Sequence, residues 1–193
     1  PVPREVALVH DQPWEGNSSG FHTVFQDGEL YRMYYRGSHY GRGGEVACYA
    51  ESRDGIRWTK PELELFEFDG SRANNIVWMG PGAHNFAPLK DTNPDCPPDR
   101  QYKALAYMHE ELGEGRRVRR LYAFHSADGI RWSLTREEPV ITQGAFDSLN
   151  VASWDGVRGR YVAFVRKNRP GVGREVAVAT SPDFLDWTEP EWL

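Results

Sequence analysis

The chain has 193 residues with 39% hydrophobic side chains, enough to build a core in one large domain. Acidic groups outnumber basic ones, 28 to 23, and the formal charge of -5 argues against nucleic acid as a partner. No apolar run approaches the roughly 18 residues of a membrane span, and two cysteines, Cys48 and Cys96, neither frame a disulfide scaffold nor show the paired spacing of a zinc site.

The first elements come after a polar segment, Trp14-Glu15-Gly16-Asn17-Ser18-Ser19. A strand is expected over 20–25, an Asp27-Gly28 turn, a second strand over 30–35 and a third over 45–50. Gly41-Arg42-Gly43-Gly44 between the last two reads as a hairpin loop, because no helix succeeds it to make it a phosphate cradle. Then comes Ser52-Arg53-Asp54-Gly55-Ile56-Arg57-Trp58, and a short edge strand entered through Pro61.

The same order recurs twice. Strands over 85–89, 102–107 and 120–125 lead to Ser126-Ala127-Asp128-Gly129-Ile130-Arg131-Trp132 and a last strand near Pro139. Strands over 150–154, 161–165 and 175–180 lead to Ser181-Pro182-Asp183-Phe184-Leu185-Asp186-Trp187 and a last strand near Pro190. The basic run Arg116-Arg117-Val118-Arg119-Arg120 lies beside Glu110, Glu111 and Glu114 and reads as a solvated hairpin. No segment sustains a 3.6-residue apolar period, so almost no helix is expected.

A four-stranded meander repeated every 50 to 75 residues or so describes propeller blades. The predicted fold class is all-β: a β-propeller of four-stranded antiparallel blades, with one partial propeller domain over 1–193 and blades near 14–70, 76–142 and 146–193. Three blades do not close a ring. The chain, which begins at Pro1 with no visible secretory leader, therefore reads as part of a longer protein, and the compartment stays open. Self-association through an open edge is the other way to cover exposed sheet faces. The Ser-x-Asp-x-x-x-Trp turns are structural: Ser and Asp accept from backbone N–H groups, and Ile and Trp pack between sheets.

Chemistry is expected where first strands line a central channel. Buried polar groups there must bond one another, water or a ligand. The candidate carboxyl groups for glycoside hydrolysis, which needs a pair, are Glu15, Asp147 and Asp91. Asp147 comes directly after Phe146, an apolar neighbour that favours the protonated acid. Trp14 could stack on a sugar face, and His22, His84, Asn85 and Asn150 could bond its hydroxyls. His22, His84 and Asp147 could instead meet at a metal, but no ligand-like spacing supports one, and no cofactor is expected.

Phe25-Gln26-Asp27-Gly28-Glu29-Leu30-Tyr31-Arg32-Met33-Tyr34-Tyr35 and the Ser-x-Asp-Gly-x-x-Trp turns resemble the five-bladed propeller glycosidases, the clan of glycoside hydrolase families 32 and 43. Trp14-Glu15, His84-Asn85-Phe86 and Phe146-Asp147-Ser148-Leu149-Asn150 are similar to segments of a narrower group of family-32-like bacterial proteins, well over twice this length. The resemblance implies a carbohydrate ligand, furanoside-type, and about two further blades. It also exposes departures. Where clan enzymes carry a first-strand Asp, this chain has Phe21 and His22; where they carry Arg-Asp-Pro, it has His84-Asn85-Phe86; the acid Glu has Asp147 as its nearest counterpart. Three functions stay open: a glycoside hydrolase, a carbohydrate-binding propeller without turnover, and a sialidase-like hydrolase, for which no cluster of three arginines is evident.

Overall fold

A computed structural model describes residues 5–39 and 44–193; the expected loop at Gly41, Arg42 and Gly43 lies outside them. The described residues form three four-stranded antiparallel sheets, with helix confined to two 3-10 turns. The chain is a partial β-propeller.

It divides into two compact units. The first, Pro1–Gly80, holds β1 (Gly20–Asp27), β2 (Leu30–Ser38), β3 (Glu45–Ser52) and β4 (Ile76–Met79), paired in that order. The fourth strand differs from expectation. The segment after Trp58 gives only a bridge between Glu51 and Thr59, and the sheet is completed beyond residue 70 by Ile76–Met79. Ile76 and Val77 are buried, and Ile76 joins the core of Met33, Tyr35, Val46 and Cys48, which explains why this strand pairs with β3.

The second unit, Pro81–Leu193, holds two sheets. One is β5 (Ala87–Lys90), β6 (Tyr102–Glu111), β7 (Arg117–Ser126) and β8 (Ser133–Leu134); the other is β9 (Val151–Asp155), β10 (Arg160–Arg169), β11 (Gly173–Ser181) and β12 (Glu191–Trp192). Period-two alternation sets which face each side chain joins, and β6 and β7 are buried on both faces over Tyr102–Tyr107 and Leu121–Phe124. Leu105, Tyr107, Leu121 and Ala123 of one sheet share a single core with Tyr161, Ala163, Val165, Ala177 and Ala179 of the other, and that core also takes in Phe146. The basic run lies on the β6–β7 hairpin, where Arg117 pairs with Glu111 at 2.6 Å and Arg120 with Glu110 at 3.1 Å.

The three Ser-x-Asp turns share one bonding pattern. In the first, Ser52 Oγ accepts from the N–H of Asp54 and Gly55, Asp54 Oδ1 accepts from the N–H of Ile56 and Arg57, and Trp58 Nε1 donates to the Gly55 carbonyl. The third copy keeps this pattern although Phe184 replaces glycine at φ 72°. A side chain in that region costs of order 1–3 kcal/mol. The Phe184 ring offsets it by burial against Tyr161 and Trp187. Trp132 is buried edge-on to Phe86, whereas Ile56 faces solvent.

Candidate functional site

In the first unit, the segment before β1 lies against the end of β2. Ser38 N–H donates to the Glu15 carbonyl, and the Ser38 carbonyl accepts from the N–H groups of Asn17 and Ser18. Two glycines permit the approach. A Cβ on Gly37 would meet the Trp14 carbonyl oxygen at 2.5 Å, and Gly16 sits at φ 68° with the Ser38 carbonyl where its own Cβ would be.

The docking drives the Glu15 side chain to 0% exposure. Its carboxylate is fully engaged: Tyr35 Oη donates to Oε1 at 2.5 Å, Lys60 Nζ lies 2.7 Å from Oε1 and 2.8 Å from Oε2, and the Gln12 N–H donates to Oε2 at 2.9 Å. Asn75 extends the network by donating to Tyr35 Oη and accepting from Trp14 Nε1 at 2.6 Å. Burial, with Glu15 beside it, pushes the Tyr35 phenol far up, and burial does the same to the Cys48 thiol. Glu15 is therefore an anchor of this unit, not an open acid. Trp14 is tied through its ring nitrogen and packs on the core, edge-on to Phe68. Its ring is not a free stacking platform.

His22 is the more accessible member of the cluster. It stacks on Tyr35 with ring centroids 5.5 Å apart, and its Nε2 lies 3.0 Å from that of His10. Burial, then the charge of His10, lowers its pKa. Phe21 before it has φ 55° at a break in the β1–β2 register, which turns His22 onto Tyr35. Lys60, Tyr35 and Asn75 carry no sequence signal for this site. They are remote from Glu15 along the chain, and only the closed sheet brings them to it.

In the second unit, residues 146–150 precede β9. Asn85 Nδ2 donates to the carbonyls of Phe146 at 2.7 Å and Ser148 at 2.6 Å; Asn150 Nδ2 donates to the same two at 3.0 and 2.8 Å. Asn85 Oδ1 accepts from the Tyr107 N–H. Both asparagines are at 0% exposure, so they hold the loop rather than face a sugar. Between the two gripped carbonyls stands Asp147, whose side chain is 37% exposed and ion-paired to Arg166 Nη2. Phe146 does not sit over it. That ring is at 0% exposure in the core, and the neighbour that matters is a guanidinium. A carboxylate so paired is a charged acceptor.

Beside the Asp147 loop the structure brings Arg166 and Arg174 to one cleft, a pairing that the sequence does not reveal. Burial, then Arg174 and Arg119, lower the pKa of Arg166. Arg119 lies over the Tyr107 ring at 5.4 Å, and His84 lies beside the same ring at 5.2 Å.

Asp91 belongs elsewhere. β5 pairs Ala87 with Leu105 and Lys90 with Tyr102, so Asn85 and Asp91 sit at opposite ends of that sheet. Asp91 is buried, ion-paired to Lys103, and accepts from Tyr161 Oη at 2.6 Å and the Asn93 N–H at 2.9 Å. Burial opposes its ionisation, but the Lys103 and Tyr161 bonds outweigh that and hold the carboxyl below the usual range. It ties the two sheets together and has no access to Asp147. Among the described residues, no group of three His, Cys, Asp or Glu side chains could hold a metal ion.

The strand order, the blade turns and the polar segments before β1, β5 and β9 can be compared with known proteins. A fructofuranosidase variant from Schwanniomyces occidentalis, solved with fructosylnystose, superposes with a TM-score of 0.62 at 15% identity over 96% of this chain and 36% of its own. The fold is that of the propeller glycosidases. A fructofuranosidase from Bombyx mori matches with a TM-score of 0.60 at 12% identity over 90% of this chain and 34% of its own. The uncharacterized protein Rv1502 of Mycobacterium tuberculosis is 29% identical over 151 residues, which cover 74% of this chain and 42% of that protein. The chain thus spans well under half the length of these relatives. No family model matches it.

Proposed function

We propose that this chain carries part of a glycoside hydrolase site for a furanoside-type sugar, with Asp147 as its ionised carboxylate. The observation that supports it is the Asp147 loop. Two fully buried asparagines spend four hydrogen bonds on the carbonyls either side of one partly exposed carboxylate. A functional carboxylate needs such preorganised support from buried neighbours. A guanidinium-paired carboxylate suits the nucleophile, the base, or the stabiliser of an oxocarbenium-like charge, rather than the proton donor. His84, beside Tyr107 in the same unit, is the proposed partner of a sugar hydroxyl. The similar fructofuranosidases point to the furanoside class.

A second reading, a carbohydrate-binding propeller without turnover, is favoured by one observation: Glu15 and Asp91 are both committed to internal lysines. Hydrolysis of a panel of nitrophenyl furanosides and pyranosides separates the two. Hydrolysis requires turnover of at least one glycoside and a fall in kcat/KM of about 10²–10⁴ in Asp147→Asn, as for loss of an acid–base group. Binding of a sugar with no turnover would support the second reading.

A further inference from the structure

The surroundings of Asp147 include cationic side chains that its single carboxylate does not neutralise. Two arginines line the cleft beside its loop, Arg166 from β10 and Arg174 from β11. Arg166 is paired with Asp147 through Nη2, and its Nε is buried without a hydrogen-bond partner. Arg119 and Arg174 have no ion pair among the described residues. The acids that could neutralise them are taken: Glu175 pairs with Arg169 at 2.8 Å, Glu110 with Arg120 at 3.1 Å and Glu111 with Arg117 at 2.6 Å.

The space beside them is open. A cleft of about 370 Å³ is lined by Arg166, Arg174, Ser148 and Leu149, by the apolar Phe164 and Val176, and by Glu175, whose carboxylate is paired with Arg169. Its Ser148 and Leu149 belong to the loop that carries Asp147. A cleft of this kind offers guanidinium forks to a planar or tetrahedral oxyanion and an apolar surface to the face of a ring. Burial, and after it the charge of Arg174 and Arg119, lowers the pKa of Arg166.

We propose that the sugar bound beside Asp147 is acidic, its oxyanion held by Arg166 and Arg174. The proposal rests on the carbohydrate reading above and names its substrate class. The oxyanion is a uronate carboxylate or a phosphate ester, which share this chemistry.

Titration calorimetry at low ionic strength tests it, with glucuronate, glucose 6-phosphate, glucose and inorganic phosphate as probes. The acidic sugars should bind about tenfold or more tighter than glucose. Arg174→Gln, an exposed change on a strand end, should remove that preference, and so should salt near 1 M, where screening shortens to about 3 Å. Whichever of glucuronate and glucose 6-phosphate binds better identifies the source of the oxyanion. Equal binding of glucose and the acidic sugars would overturn the proposal and leave the carbohydrate reading standing. So would an Arg174→Gln protein whose preference is intact. Inorganic phosphate binding as tightly as glucose 6-phosphate would keep an anion site and overturn the carbohydrate reading.

Discussion

Asn85 and Asn150 donate to the same two carbonyl oxygens, those of Phe146 and Ser148, from the approaches to two different sheets. Each asparagine therefore partly covers for the other. Either change to alanine leaves both carbonyls with one donor, and Asn85→Ala also strands the Tyr107 N–H. We expect each single change to cost about 1–3 kcal/mol, Asn85→Ala the more. The double change should cost more than the sum, because only then do the carbonyls lose both asparagine donors. Urea denaturation of the four proteins gives this coupling. Activity should fall further than stability, since the loop then no longer holds Asp147.

Glu15 and Lys60 form a pair that burial makes unforgiving. Removing one charge leaves the other buried and unpaired, at about 3–5 kcal/mol. Glu15→Ala and Lys60→Met should each destabilise by that order, and a paired replacement of both by apolar groups should recover much of the loss. Thermal unfolding of the three variants checks it. A catalytic Glu15 would behave otherwise: Glu15→Gln would abolish turnover while leaving the melting temperature unchanged.

The blade turns carry a pH signature. Asp54 Oδ1 accepts the N–H groups of Arg57 and Ile56, and these bonds hold its pKa at about 2, below the ordinary 3.8. For Asp128 and Asp183, burial acts the other way, but the same backbone bonds prevail and the shift is again downward. A group whose pKa is depressed by folding binds fewer protons folded than unfolded near its ordinary value. Its stabilisation is full above 3.8 and is lost as the pH falls towards about 2. Stability should therefore drop between pH 4 and pH 2, approximately. Asp128→Ala should cost about 1–2 kcal/mol at pH 7, like the loss of a helix cap, and should flatten the acid limb measured by denaturation at several pH values.

The features legible in the sequence are the local ones. The Ser-x-Asp-x-x-x-Trp turns close within seven residues, so residue types at fixed offsets suffice to identify them and, through their recurrence, the sheets. β4 is not legible, because the irregular stretch after Thr59 hides how far the first sheet extends and only packing of Ile76 and Val77 reveals it. Asp147 stands out by its place before a first strand. Its neighbours do not, since Phe146 turns inward while Arg166 arrives from β10. Glu15, Asp91, Asn85 and Asn150 are conspicuous as polar residues beside strands. The groups they bond are not, because the partners of a buried polar side chain are backbone carbonyls and distant lysines that no spacing records.

Each blade turn is also self-sufficient. Its serine, aspartate and tryptophan bonds all run between residues two or three apart in sequence. Closing so short a loop costs little chain entropy, and loops of this length close on the submicrosecond scale, about 10–100 ns for ten residues. The three turns are thus able to form before distant strands have found their partners. Each then sets the direction in which the chain leaves the third strand of its sheet, so that the slow, long-range step left to folding is the meeting of sheets rather than the invention of their corners.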